Sequence, residues 1–282
     1  MKVSVVILVL NGGAILRRSV ASLMSQVIAD SVEILLLDSG STDGSESLDK
    51  EFQVRIESIA QADFRFGYAR NLAFRLAKGD YIATISQDYI PADDLWLGRL
   101  IAPLRNGADV ALGRGISHPN VRPFFWETRR FAFTREGREF IDSHGGHGFS
   151  CMCLATRREV WEATGFGDDV LMGEDKYFQK KCFENGFRGV EYVPEAKGYH
   201  GHEFTVASLY NRCQNEGFGW RFVDVEYGFG SMLLDIFEPR SYAKLVLALA
   251  RFQIRTAAEA LFIWLRPIAV YKGNRFNREY VR

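Results

Sequence analysis

GDYIATISQDYIPADD, residues 79–94, reads as a buried strand that stops on a carboxylate. Tyr81 to Ser86 is the strand; Gln87 and Asp88 follow where the apolar run ends. A core strand closing on Asp88 has either a turn to satisfy or a ligand to hold, and the flanking stretches decide which kind of sheet it belongs to.

Working outward, VSVVILVL (Val3–Leu10) is a continuous apolar, β-branched run of the kind found in strands covered on both faces, and Asn11-Gly12-Gly13 breaks it. VEILLLD (Val32–Asp38) is a second such run, Val54–Ile59 a third and less apolar strand, and Ala108–Leu112 a fifth. Between them lie helical stretches: Ala14–Ser25, Gly67–Lys78 ending at Gly79, and one capped by Asp93 or Asp94 running to about Leu104. In the loop SGSTDGS, Asp43 and Glu46 have capping-box spacing.

This alternation predicts an α/β chain with a mostly parallel central sheet, flanked by helices and joined by right-handed crossovers. Such sheets bind ligands beyond the carboxyl ends of their strands. Asn11, Asp38, Gln87 and Asp88 all sit at such ends, which points to one shared site; the competing reading is that each merely caps its own turn. No G-x-G-x-x-G follows the first strand and no G-x-x-x-x-G-K-[ST] occurs, which argues against a dinucleotide-dependent dehydrogenase and a P-loop enzyme.

Lys plus Arg balances Asp plus Glu at 35 each in 282 residues, so overall charge offers no nucleic-acid footprint. The balance is local, however. Arg240–Arg282 holds nine Lys/Arg and two Glu, a net +7, leaving −7 on the first 239 residues. Cys151, Cys153, Cys182 and Cys213 read as reduced thiols of a cytoplasmic protein, and His144, His147, Cys151 and Cys153 fit no common zinc spacing. The first apolar run is too short for a secretory leader, and no stretch reaches 18 apolar residues.

Four stretches together resemble the family 2 glycosyltransferases of the GT-A fold: SVVILVLNGG (Ser4–Gly13), LLLDSGSTDGS (Leu35–Ser45), ARNLAFRLAKGDYIATISQD (Ala69–Asp88) and GEDKYFQKKCFENGFR (Gly173–Arg188). The resemblance covers about residues 1–220. It implies a catalytic domain over that span, with a nucleotide-sugar half at about 1–115 and an acceptor half at about 116–220. A helical extension over 221–282 completes the chain. By the same resemblance Leu10, Asn11, Asp38, Arg70 and Gln87, with Asn71 beside Arg70, hold the nucleotide end of a nucleotide-diphosphate sugar.

The family's usual Asp-x-Asp is replaced by Ser86-Gln87-Asp88. Asp88 would still ligate Mn²⁺ or Mg²⁺, with His200 or His202 of YHGH making up for the missing acid. Asp175 is the implied general base, with Glu174 as its alternate or support. As the second acid of a helix's first turn, Asp175 is also a candidate N-cap. SQD followed by PADDLWL, with GFSCMCLATRREVWEATGF and YVPEAKGYHGHEFTVASLYNR, resembles the rhamnosyltransferase-like branch and implies a dTDP-L-rhamnose donor and a saccharide or lipid-linked saccharide acceptor. Cys151 and Cys153 depart from the more polar residues expected there. The chemistry implied is inverting transfer. The alternatives are a nucleotidyltransferase, for which NGGAILRRS is a poor loop, and a non-catalytic sugar-nucleotide-binding or scaffold protein.

From Lys244 to Arg266 the charged residues Lys244, Arg251, Arg255, Glu259 and Arg266 fall within an arc of about 80° if the segment is one helix. Such a helix must bury most of its surface: against the rest of the protein, in a homodimer, or peripherally at the inner face of a cell membrane.

Overall fold

The computed structural model describes residues 1–119, 121–127, 129–277 and 279–280, with the side chains of Arg129 and Arg130 excepted. In chain order the elements are β1 (Lys2–Val9), α1 (Gly13–Met24), β2 (Ser31–Asp38), β3 (Arg55–Ser58), α2 (Phe66–Leu76), β4 (Tyr81–Ile85), β5 (Ile90–Pro91) and α3 (Trp96–Arg105). Next come β6 (Val110–Ile116), α4 (Arg129–Ala132), α5 (Arg135–Ser143), β7 (Cys153–Arg157), α6 (Arg158–Thr164), α7 (Glu174–Glu184) and β8 (Val190–Tyr199). Four helices close the chain: α8 (Val206–Trp220), α9 (Phe229–Ile236), α10 (Pro239–Ala250) and α11 (Ala257–Phe276).

The chain forms two compact units that interleave along the sequence: residues 1–118, 147–170 and 174–201, and residues 119–146, 171–173 and 202–282. The expected boundary at residue 220 follows chain order, whereas α8 belongs to the same compact unit as α9–α11.

The first unit carries one sheet in the order β3-β2-β1-β4-β7-β6-β8-β5. β3, β2, β1 and β4 are parallel. β7 is antiparallel to both β4 and β6, and β6 and β8 are parallel. The alternation of β1 explains why its sequence is apolar on both faces. Val3, Val5, Ile7 and Val9 enter the core under α1 and α3, while Val6 enters a second core with Ala69, Ala73 and Phe74 of α2 and Phe178 of α7. β2 does the same with Ile34 and Leu36 on one side and Leu35 and Leu37 on the other.

Several local expectations need correction. The strand inserted between β4 and β6 is Cys153–Arg157, which periodicity alone did not single out. β8 runs to Tyr199, which brings its end to the residue before His200. The ladder with β6 passes from Leu112–Tyr192 to Arg114–Lys197, so Pro194 falls in a bulge where no ladder hydrogen bond is required of it. Asp43 and Glu46 form no capping box: Asp43 accepts from Ser45 N–H and Gly13 N–H, and Glu46 from Gly44 N–H. Neither Asp93 nor Asp94 caps α3, which follows Leu95; Asp93 accepts from Leu95 N–H and pairs with Arg99 at 2.8 Å.

The second unit packs around Trp126, which stacks on Phe262 at 5.3 Å and donates from Nε1 to the Glu259 carbonyl. α8 and α11 approach so closely that a Cβ on Gly273 would lie 1.8 Å from the Gln214 carbonyl oxygen, and one on Gly217 2.1 Å from that of Val270. The single helix expected over 244–266 is two helices. α10 ends at Ala250, Phe252 takes φ +54°, and α11 restarts under a Thr256/Glu259 capping box. The 80° stripe dissolves with it, because three of its charges turn inward. Arg266 donates to Glu216 and to the Ala132 carbonyl, Lys244 lies over the Phe131 ring at 4.2 Å, and Glu259 is 2% exposed.

Candidate active site

Register places the first group of residues. Val9 of β1 stands opposite Asp38 of β2, and Ile7 opposite Ile85 of β4, so the segments leaving these three strands emerge side by side. Asn11 holds a left-handed φ of +49°, a conformation asparagine tolerates. Its N–H donates to Ser41 Oγ at 2.8 Å and its Oδ1 accepts from Thr42 N–H at 2.9 Å. Asp38 is buried and accepts from the Gly40 and Ser41 N–H groups at 3.0 Å each. The small residues of SGSTDGS thus close the loop on itself and on Asn11-Gly12-Gly13, with Ser45 Oγ accepting from Gly12 and Gly13.

Gln87 bridges the other pair of strand ends. Leu10 N–H donates to Gln87 Oε1 at 3.0 Å, and Gln87 Nε2 donates back to the Leu10 carbonyl at 3.2 Å. Both ends of this carboxamide are therefore engaged by main chain.

Asp88 and His200 meet through a different pairing. β5 and β8 are antiparallel with Ile90 opposite Tyr199, so the residues just before β5 and just after β8 lie at one edge. Asp88 Oδ1 is 3.6 Å from His200 Nε2, with both side chains partly buried, and His200 N–H donates to the Ile116 carbonyl. His202 follows two residues later as the opening residue of the second unit. Ser86, where the family's first acid would stand, has a buried Oγ with no hydrogen-bond partner among the described residues. A carboxylate beside an imidazole, with an unpartnered hydroxyl two residues away along the chain, is a donor set that fits a divalent cation of intermediate hardness.

The third group follows from the faces of β4. Thr84 points to the α2 and α7 side, where Arg70, 5% exposed, donates to Thr84 Oγ1 at 2.5 Å and to Glu174 Oε1 at 3.3 Å. Its Nε is buried without a hydrogen-bond partner among the described residues. Burial pushes the Glu174 carboxyl above its ordinary value; the Arg70 charge opposes that and the neighbouring Asp175 adds to it. Asp175 lies in the first turn of α7, its Oδ1 accepting from Lys176 N–H at 2.7 Å and its Oδ2 3.4 Å from Lys176 Nζ. Lys176 Nζ also donates to the Phe149 carbonyl. Cys151 is buried within electrostatic reach of Arg70, Glu174, Asp175 and Lys176, and burial drives its thiol well above its ordinary value.

Asn71 belongs to none of these groups. Its Oδ1 accepts from Trp161 Nε1 and Phe166 N–H, and its Nδ2 donates to Asp168, so it fastens α2 to α6 and the loop after it. The expected nucleotide contact is replaced by a structural role. Thr84 and Lys176 were not singled out from sequence; Thr84 looks like any β-branched strand residue, and only the α2 face reveals its partner.

Residues 4–165, more than half of the chain, match the glycosyl transferase family 2, and the chain belongs to that family. It is 26% identical over 195 residues to the O-antigen chain rhamnosyltransferase WbaN of Salmonella anatum, covering 66% of this chain and 61% of that one. The chain thus spans about three-fifths of that relative. Among solved structures it is similar to the mannosyltransferase PcManGT from Pyrobaculum calidifontis in complex with GDP-Man and Mn²⁺, with TM-score 0.64 and 15% identity over 98% of this chain and 88% of that one. It is also similar to glucosyl-3-phosphoglycerate synthase from Mycobacterium tuberculosis in complex with Mn²⁺, UDP and phosphoglyceric acid, with TM-score 0.59 and 19% identity over 79% and 77%. At these identities the likeness speaks to the fold, which is GT-A.

Proposed function

We propose that this glycosyltransferase moves a sugar, L-rhamnose from dTDP-L-rhamnose, onto a hydroxyl of a saccharide or lipid-linked saccharide with inversion at the anomeric carbon. The observation that carries the reading is the Asp88–His200 pair at the edge where β4 gives way to β5. The support for rhamnose is the likeness to the O-antigen rhamnosyltransferase, together with the Ser86-Gln87-Asp88 triplet.

Asp88 and His200, with His202 as the next imidazole along the chain, would hold Mn²⁺ or Mg²⁺, the nitrogen ligand favouring Mn²⁺. Such a cation offsets the charge gained by a departing diphosphate. Leu10, Asn11 and Asp38 form the wall for the nucleotide, and Gln87 fixes the position of Leu10 in it. Asp175 removes the proton from the acceptor hydroxyl as it attacks the anomeric carbon from the face opposite the diphosphate. Glu174, buried against Arg70, fixes the first turn of α7 from which Asp175 projects.

Calorimetry with dTDP and with UDP tests the binding half. The expected result is nucleotide binding that requires Mn²⁺ or Mg²⁺ and is lost in Asp88→Ala. Tight nucleotide binding indifferent to both the cation and Asp88→Ala would remove the metal site from the reading.

A further inference from the structure

The last two helices of the second unit show an arrangement that the transfer chemistry does not use. Tyr242, Val246 and Leu249 share one side of α10 at i, i+4, i+7, and Leu261, Trp264 and Ile268 share one side of α11 at i, i+3, i+7. Trp264 Nε1 donates to Tyr242 Oη at 3.0 Å, so the two stripes adjoin. Their apolar members face solvent: Val246 is 65% exposed, Leu249 51%, Ile268 43%, and Phe252, at the tip between the helices, 86%.

Along the two helices the exposed charge has one sign. Arg240, Arg251, Arg255, Lys272 and Arg275 are exposed, Arg275 pairing with Glu226 from the segment before α9, and from Pro239 through Phe276 the only acid is the buried Glu259. Among the described residues no helix is long and apolar enough to cross a membrane.

We infer that the exposed face of α10 and α11 is a docking surface for an anionic lipid bilayer, with Val246, Leu249, Phe252, Leu261, Trp264 and Ile268 entering the headgroup boundary and Arg240, Arg251, Arg255 and Lys272 meeting lipid phosphates. An apolar stripe rimmed by Arg and Lys is the pattern that both the acyl boundary and the negative surface potential favour. Charge selects this occupant over a second copy of the chain. A two-fold interface through the same face would set the cationic rim against itself, whereas an anionic surface neutralises it. The inference does not depend on the transfer chemistry, and its failure would leave the nucleotide-binding reading untouched.

The test is flotation of the full chain with vesicles of phosphatidylcholine alone or mixed with phosphatidylglycerol, at low and high salt. The chain is expected to float with the mixed vesicles at low salt and to be released by salt. Each Arg removed near an anionic surface costs about fivefold in binding, so Arg240→Gln/Arg251→Gln/Arg255→Gln should lose about a hundredfold. Val246→Gln/Leu249→Gln/Phe252→Gln should lose about tenfold or more on the same vesicles. Because these residues are exposed, circular dichroism should show wild-type helix content in both variants. A wild-type chain that stays with the buffer, or that floats equally with neutral vesicles at high salt, overturns the inference. So does a wild-type dimer that the apolar variant converts to monomer without any flotation.

Discussion

Glu174 in the first unit and Glu259 in the second are both almost wholly removed from water, yet their carboxyls are shifted in opposite directions. Burial raises the Glu174 carboxyl, and a single guanidinium, Arg70, works against it. For Glu259 burial also pulls upward, but the Arg255 and Phe125 N–H groups and Arg122 outweigh it and hold the carboxyl below its ordinary value. The difference lies in donors rather than depth. Glu259 is a structural anchor with every lone pair engaged. Glu174 has fewer donors, and the neighbouring Asp175 adds to the upward pull on its carboxyl.

Three substitutions separate the two regions. The largest effect belongs to the partly buried neighbour of Glu174: Asp175→Asn should lower transfer by about 10²–10⁴-fold in single-turnover assays. Nucleotide affinity should stay near wild type; activity within a few-fold of wild type would move the base elsewhere. Next, Glu259→Ala leaves Arg122 and the main-chain donors of Phe125, Arg255 and Thr256 without their acceptor and should cost about 4 kcal/mol in denaturant unfolding. Its folded-state value is lowered, so its stabilisation is present above the ordinary carboxylate range and is lost as pH falls through the lowered value. The gap between wild type and variant should therefore narrow in acid. Last, Arg70→Met removes the cation paired with Glu174 and should cost about 3 kcal/mol near neutral pH. Here the sign comes from the other side. Without Arg70 the Glu174 value rises further, the carboxyl takes up a proton sooner on acidification, and the penalty shrinks as pH falls towards the ordinary carboxylate range. Thermal melts of both variants across that range check these slopes; a penalty for Arg70→Met that is constant with pH would show that the buried pair is not what stabilises this turn.

The parallel half of the sheet was legible because β1, β2 and β4 each feed two cores and so carry apolar residues on both faces. Their polar ends were legible for the same reason, since Asn11, Asp38, Gln87 and Asp88 stand where those runs stop. β7 was not, because a five-residue strand paired antiparallel between β4 and β6 owes its existence to partners far along the chain. The break between α10 and α11 escaped because neither Gly nor Pro marks it. Thr256 and Glu259 did carry the capping-box spacing that announces the restart. The inward turn of Lys244, Glu259 and Arg266 could not be read from a helical wheel, since each partner, Phe131, Arg122 and Glu216, comes from another segment. In the site, resemblance assigns Asn71 to the nucleotide, while its partners Trp161, Phe166 and Asp168 come from a segment about 90 residues on, which the motif does not show.

The two-way bridge between Gln87 and Leu10 yokes the turn after β1 to the turn after β4. A molecule pressing on one turn presses on both, so the strand ends present a single jointed wall to whatever enters. Severing the carboxamide, as in Gln87→Ala, would leave two independent flaps where the protein has one.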